Sequence, residues 1–462
     1  MTNSDTIIAL ATPAGAGAIA VIRLSGDQAI SICEAQFRSI HGKKLLEQPT
    51  HTIHLGHILK DGKELDEVLV SIFKNPQSYT GENVVEISCH GSPYIQQEII
   101  QLFLRNGCRV ANPGEFTLRA FINGKLDLSQ AEAVADLIAS DNAASHQIAM
   151  QQMRGGFSNE IQALRSELMN FASLIELELD FAEEDVEFAN RDQFKDLINR
   201  IVKVLKHLID SFAVGNVIKN GIPVAIVGEP NVGKSTLLNA LLNEEKAIVS
   251  DIAGTTRDAI EDELTIGGVG FRFIDTAGIR ETEDVVETIG IKKTFEKIGQ
   301  SQVIMYLFDG SDVDEITAEK INIEIHRLQN KFPDKPLLVI ANKMDKGNND
   351  FIKNHFNYEH LLLLSAKENL GVEELKEKLL DFVNTGALRN NETIITNSRH
   401  YDALIKALEE IQKVQQGIDE GLSGDLMAID IRQALYHFGE ITGEITSDDL
   451  LGNIFANFCI GK

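Results

Sequence analysis

The chain has 462 residues, and its 43 lysines and arginines against 69 aspartates and glutamates give a formal net charge of −26. That length suits about three domains, and the acidic balance argues against a protein held on nucleic acid by a broad cationic face; any RNA contact must come from a local patch or a partner. Met1–Asp5 carries no basic leader, no apolar run approaches the ~20 residues that span a bilayer, and Cys33, Cys89, Cys108 and Cys459 form no C-x-x-C pair. A soluble chain with no integral membrane segment is expected in a reducing cytoplasm, without a disulfide framework or a zinc site.

Residues 1–125 mix short β-branched runs with turns: Thr6 to Ala11, Ala18 to Leu24, Glu67 to Phe73 and Val84 to Cys89. This predicts an α+β domain. Gly15-Ala16-Gly17-Ala18-Ile19-Ala20 matches the dinucleotide fingerprint, but Ala20 to Leu24 then reads as a strand where the fingerprint needs a helix N-terminus. No tight NAD or FAD binding is expected. From Ser129 to about Ile218 apolar residues recur at spacings of three and four, as in Ile161-Leu164-Leu168 and Ile201-Leu205-Leu208, predicting long antiparallel helices over 126–219.

A nucleotide-binding domain over 220–384 interrupts that pattern. Gly228-Glu229-Pro230-Asn231-Val232-Gly233-Lys234-Ser235 fits G-x-x-x-x-G-K-[ST] between a β-branched run and the helical run Thr236 to Leu242. Backbone N–H groups there curl around phosphates, Lys234 reaches the β/γ oxygens, and the Ser235 hydroxyl ligates Mg²⁺. Gly254-Thr255-Thr256-Arg257-Asp258 reads as the first switch, with Thr256 on Mg²⁺. Asp275-Thr276-Ala277-Gly278 follows a strand, placing a carboxylate near the Mg²⁺ shell and a glycine N–H toward the γ-phosphate. Asn342-Lys343-Met344-Asp345 closes another strand, and Asp345 can accept from the N1–H and 2-amino group of guanine. Adenine offers neither donor, and sites of that kind discriminate by ~10⁴-fold or more. Ser365-Ala366-Lys367 would offer the Ala366 N–H to guanine O6. Four motifs in this order predict GTP as the nucleotide. Ile279 stands where most signalling GTPases carry a water-orienting glutamine, so the positioning group must come from elsewhere.

After a polar linker around Thr385 to Asn391, helical periodicity resumes from Ser398 to Phe458, so 385–462 is the second part of the helical domain. An exposed loop site permits such an insertion. The expected fold class is thus multidomain α/β and α+β: an α+β N-terminal domain, a helical bundle, and an inserted P-loop G domain of Ras-like, doubly wound α/β form. The tail Cys459-Ile460-Gly461-Lys462 suits a prenylation signal poorly, and no polybasic segment precedes it. Cys459 has two readings: a thiol activated by the neighbouring lysine for nucleophilic or redox work, or a small apolar residue that docks the tail.

The GTP motifs, Ile279 and the C-terminal tetrapeptide together resemble the potassium-activated tRNA-modification GTPases of the MnmE (TrmE) family, essentially over the full length. The resemblance implies that Asn231, with Ser250, Ile252 and Thr255 of the first switch, holds a K⁺ where other GTPases receive an arginine finger. It implies that Glu287 positions the attacking water. The GTP contacts it implies are Asn231, Val232, Gly233, Lys234, Ser235, Thr236, Ser250, Asp251, Ile252, Ala253, Gly254, Thr255, Thr256, Asp275, Thr276, Ala277, Gly278, Asn342, Lys343, Asp345, Ser365, Ala366 and Lys367. A monovalent cation between the phosphates stabilises charge that grows during transfer, a contribution that arginine fingers show is worth ~10³ to 10⁵ in rate.

The family's N-terminal domain is similar to folate-binding one-carbon enzymes and also dimerises. By that resemblance Arg23, Glu82, Lys125 and Lys462 bind a tetrahydrofolate derivative, 5-formyl or methylene, and Cys459 belongs to the active centre. A homodimer is expected, acting on tRNA with a flavin-dependent partner of the MnmG (GidA) family in a heterotetramer or larger complex. The expected activity builds an aminomethyl or carboxymethylaminomethyl group at C5 of the wobble uridine, position 34. A GTPase switch that binds RNA without modifying it would share the G motifs. The folate-like domain and the Cys459 tail are what distinguish the two. Pro113-Gly114-Glu115-Phe116-Thr117-Leu118-Arg119-Ala120-Phe121 also agrees with the family, with no role that the sequence supplies.

Overall fold

The computed structural model describes residues 5–180, 191–246, 261–275, 295–382, 394–456, 458 and 461. The chain divides into two compact units: one of Met1–Ala139, Ala149–Lys206 and Asp402–Lys462, the other of Ser140–Ile148 and His207–Tyr401.

The first unit begins with β1 (Thr6–Leu10), β2 (Ile19–Ser25), α1 (Ala29–Gln36), β3 (Phe37–Ser39), β4 (Thr52–Lys60), β5 (Lys63–Phe73), β6 (Val84–His90), α2 (Pro93–Arg105) and β7 (Cys108–Val110). These strands form one sheet in the order β3-β4-β5-β6-β2-β1-β7, antiparallel except where β1 pairs with β7. Strand alternation sets its two faces. Val68, Val70 and Ile72 of β5 join Ile22, Leu24, Val85 and Ile87 beneath α1 and α2, which contribute Ile30, Ile99 and Phe103 to that core. Ile7 and Ala9 of β1 turn the other way, onto Phe116.

Phe116 belongs to α3 (Glu115–Ile122), which leads into α4 (Leu128–Ala139), α5 (Ala143–Met153), α6 (Gly156–Asp180) and α7 (Arg191–Asn220). The three- and four-residue spacings seen in the sequence become buried stripes, with Ile161, Leu164 and Leu168 on α6 and Ile201, Leu205 and Leu208 on α7. At the C-terminal end α12 (Ser398–Glu420), α13 (Gly424–Thr442) and α14 (Asp448–Ala456) complete the bundle, where α13 packs along α6. Their labels follow α8 (Lys234–Lys246), α9 (Glu315–Lys331), α10 (Asn349–His355) and α11 (Val372–Asp381) of the second unit. Beyond α14, Phe458 joins Phe455 against Leu128 and Ala131 of α4, with Leu118 and Phe121 of α3 alongside.

In the second unit β8 (Ile222–Val227), β9 (Glu261–Ile266), β10 (Val269–Asp275), β11 (Val303–Asp309), β12 (Leu337–Asn342) and β13 (Leu361–Leu363) form a sheet ordered β13-β12-β11-β8-β10-β9. All its pairings are parallel except the β9–β10 hairpin. Parallel strands covered on both faces read as near-continuous apolar runs, and β11 shows why. Val303, Met305 and Leu307 face α8 and α11, whereas Ile304, Tyr306 and Phe308 face α9 and α10. This is a doubly wound α/β sheet, and its topological switch lies beside β8, at whose carboxyl end such folds bind ligands.

Candidate functional site

The phosphate loop leaves the carboxyl end of β8 and enters α8 at Lys234. Asn231 and Gly233 both have positive φ, +64° and +99°. At Gly233 an added Cβ would stand 2.3 Å from Asn342 Nδ2, so the motif's second glycine is required by close approach as well as by conformation. Lys234 Nζ donates to the carbonyls of Gly228 at 2.5 Å and Glu229 at 3.1 Å, folding the side chain back over the loop. Ser235 and Thr236 are exposed on the first turn of α8, and Val232 is buried under it. This loop fits a polyphosphate chelating Mg²⁺: a positive helix end, a cationic Nζ and an exposed hydroxyl converge.

Asn342 ties the Ser365–Lys367 segment to this loop. Its Nδ2 donates to Val232 O at 2.8 Å and its Oδ1 accepts from Ala366 N at 3.0 Å. The Ala366 N–H, expected at guanine O6, is therefore engaged with Asn342 here. Lys343, also at positive φ, donates Nζ to Asn231 O at 2.9 Å and to Asp309 Oδ2 at 2.5 Å. Burial acts upward on the Asp309 carboxyl, yet hydrogen bonds from Lys343 and Ser311 hold it below its ordinary value. Asp309 was not singled out by the motifs, and its place at the end of an apolar strand was the signal available. Asp345 Oδ1 accepts from Ser365 Oγ at 2.7 Å, which holds its carboxyl low and charged, as recognition of two N–H donors requires. Lys367 is exposed and pairs with Glu368 at 3.6 Å.

Asp275 is the last residue of β10, in register with Ile226 of β8, which brings its backbone next to the start of the phosphate loop. Ser250, Asp251, Ile252, Ala253, Gly254, Thr255, Thr256, Thr276, Ala277, Gly278 and Glu287 lie outside the described residues, as do Cys459 and Lys462.

A second constellation occupies the first unit. Arg23 on β2 sits in register with Glu86 on β6 and donates Nε and Nη2 to Glu86 Oε1 at 2.9 and 2.7 Å. Its guanidinium lies 5.5 Å from the Tyr79 ring centroid and 5.8 Å from that of Phe116. Arg23 Nη1 also donates to Gly461 O at 3.4 Å. Gly461 has φ +101°, and an added Cβ there would stand 2.3 Å from Leu10 O, so Gly461 lies directly on the end of β1. Glu82 accepts from Ser25 Oγ at 2.7 Å and from Arg119 Nη1 at 3.1 Å. Lys125 donates to Pro76 O at 3.2 Å, and Asn123 Nδ2 to Thr80 O at 2.7 Å, so the loops bearing Glu82 and Lys125 are joined. Arg23, Glu82 and the C-terminal segment are thus brought together although no sequence spacing links them. Two aromatic rings beside a cation, with a carboxylate, fit a flat heterocycle with an acidic tail.

The described cysteines are buried and free. Burial pushes the Cys89 thiol up to about 11 and that of Cys108 up to about 12, leaving both poor nucleophiles. Gly15 and Gly17 lead into β2, and Gly17 pairs with Gly91 through its backbone, so a strand follows the dinucleotide-like match.

A doubly wound domain with a P-loop and an Asn-Lys-x-Asp segment at the end of β12 defines a GTP-binding P-loop protein. The "MnmE helical domain" family matches residues 128–459, and the "GTP-binding protein TrmE N-terminus" family matches residues 6–125. A tRNA modification GTPase MnmE from Christiangramia forsetii is 71% identical over 474 residues, covering all of both chains, and one from Flavobacterium johnsoniae is 71% identical over 468 residues with the same coverage. One from Bacteroides fragilis is 51% identical over 470 residues, again covering both chains in full. The chain belongs to the MnmE family of tRNA modification GTPases.

Proposed function

We propose that the chain is a K⁺-activated GTPase that works with a flavin-dependent partner of the MnmG (GidA) family on the wobble uridine, position 34, of certain tRNAs. The product carries an aminomethyl or carboxymethylaminomethyl group at C5, with a tetrahydrofolate derivative, 5-formyl or methylene, as the one-carbon source. The observation that carries this reading is the docking of the C-terminal tail at Arg23, beside Glu82, Tyr79 and Phe116 in one compact unit. A switch that only binds RNA has no use for that convergence.

In the nucleotide site, Lys234 and the loop N–H groups would hold the β- and γ-phosphates, Ser235 and Thr256 the Mg²⁺, and Asp345 the guanine edge. Asn231, with Ser250, Ile252 and Thr255, would hold K⁺, which supplies positive charge where negative charge grows between the β- and γ-phosphates. Glu287 is proposed to position the attacking water. In the first unit Glu82 would accept from the amino-pyrimidine edge of the folate, and Arg23, Lys125 and Lys462 would answer its carboxylates and polar ring atoms. Bound there, the folate would supply the carbon. Cys459 lies two residues from Gly461 and is kept as the thiol of the modification centre. Hydrolysis energy is not required for C–C bond formation as such, so GTP turnover gates a conformational change.

The homodimer is supported by the open face of the first sheet. Ile53 and Leu69 are 66% and 45% exposed, and Leu55 pairs in register with Leu69, forming an apolar strip that a second copy would cover. A cytoplasmic location follows from a tRNA substrate.

Single-turnover GTP hydrolysis in KCl and in NaCl at equal ionic strength tests the catalytic half of the proposal. Turnover at least ~10-fold faster in K⁺ is expected, a fraction of what an arginine finger supplies. Equal rates in the two salts would remove the cation from the mechanism.

A further inference from the structure

We infer that Arg119, through its grip on Glu82, is a positioning residue that sets which heterocycle the first unit accepts. The inference rests on the folate reading of that site and gives a role to the segment Pro113–Phe121.

Arg119 is only 6% exposed, as is Glu115 one helical turn before it on α3. A guanidinium buried to that degree needs anions on all sides. Arg119 Nη2 donates to Asp5 Oδ1 at 2.8 Å and to Glu115 Oε1 at 3.1 Å. Its Nη1 donates to Asp5 O at 2.9 Å and to both Glu82 oxygens, at 3.1 and 3.3 Å. Glu115 is itself fixed, because it accepts from Arg109 at 2.5 and 3.0 Å and from Asn112 N at 2.8 Å. The guanidinium plane is therefore set by three bonds to two residues, Asp5 and Glu115, neither of which lies in the loop that bears Glu82. Its remaining contact is Glu82, which Ser25 holds from the other side.

The rest of α3 serves the same place. Thr117 Oγ1 hydrogen-bonds Tyr79 OH at 2.8 Å, and the Phe116 ring supports the Arg23 guanidinium. One short helix thus fixes the ring, the cation and the carboxylate of the site. Glu82 is the member of this ion network that reaches the loop 79–83, where a ligand edge with two N–H donors would meet it.

Loss of Arg119 should then cost selectivity more than general affinity. A carboxylate held in one orientation favours a ligand edge with two donors and rejects an analogue that leaves it unpaired. The test uses the full chain and two probes, 5-formyltetrahydrofolate and its analogue without the 2-amino group, with Kd measured for each by calorimetry. Wild-type protein should prefer the amino-bearing probe, Glu82→Gln should abolish the preference, and Arg119→Met should reduce it at least tenfold. Arg119→Lys keeps the charge but not the fork, and should reduce the preference by a smaller factor. GTP turnover, which uses the other unit, should stay at the wild-type rate and reports a folded chain. If Arg119→Met does not fold, Arg119→Lys decides alone. A Lys variant with the full wild-type preference, or a Met variant that weakens both probes equally, would overturn the positioning role and leave the folate reading standing. Failure of the wild-type chain to bind 5-formyltetrahydrofolate would overturn both.

Discussion

Asn342 has both ends of its amide engaged and is 2% exposed, so it joins the phosphate loop to the Ser365–Lys367 segment as a buried strut. Truncation to alanine would leave Val232 O and the Ala366 N–H without this partner, and each orphaned buried group costs about 1–3 kcal/mol. Asn342→Ala should therefore weaken GTP binding by at least tenfold and lower the Tm of the second unit, with binding read by calorimetry and unfolding by scanning calorimetry. Unchanged affinity with a lowered Tm would limit the residue to stability. Lys343 makes a related brace, from Asp309 to the Asn231 carbonyl, so the motif's lysine supports the phosphate loop from below.

Helix α3 connects stability to pH. Burial acts upward on the Glu115 carboxyl, but Arg109, the Asn112 N–H and Arg119 together hold it below its ordinary value of 4.5. The bonds from Arg109 likewise lower Asp5, against burial. Both groups titrate lower in the folded chain than in the unfolded one, so their contribution is complete above the ordinary carboxylate range and is lost as pH falls through the depressed folded values. Glu115→Gln should cost about 2 kcal/mol near neutral pH, because it removes one of the three carboxylates around buried Arg119 and the charged partner of Arg109. The loss of stability below about pH 4 should be shallower in this variant than in the wild type. Parallel acid limbs in pH-dependent unfolding would contradict that reading. The same helix shows what sequence could and could not yield. The P-loop and the base motifs are legible because their chemistry depends on local spacing along the chain. The bundle is legible because burial follows helical periodicity, and the interruption at β8 marks where that periodicity stops. Pro113–Phe121 was opaque because its partners are remote: Arg119 meets Asp5 across 114 positions, and Arg23 meets Gly461 across 438. No spacing rule spans such distances. The strand expected after Gly15 and Gly17 is present as β2 (Ile19–Ser25), since that segment has the apolar, β-branched character of a strand.

Across the whole molecule, two compact units carry two candidate sites. The second unit recognises GTP, and the first gathers Arg23, Glu82 and the chain's C-terminal segment around a site suited to a flat heterocycle. Family membership supplies the tRNA, and the high acidity is consistent with a partner that provides most of the RNA contact. The most direct measurement digests bulk tRNA from a strain lacking this gene and quantifies modified uridines by mass spectrometry, with plasmid copies as controls. Loss of the 5-aminomethyl-type wobble nucleosides is expected, restored by the intact gene and not by one lacking residues 459–462. A nucleoside profile unchanged by the deletion would contradict it and leave a GTPase switch as the reading of this chain.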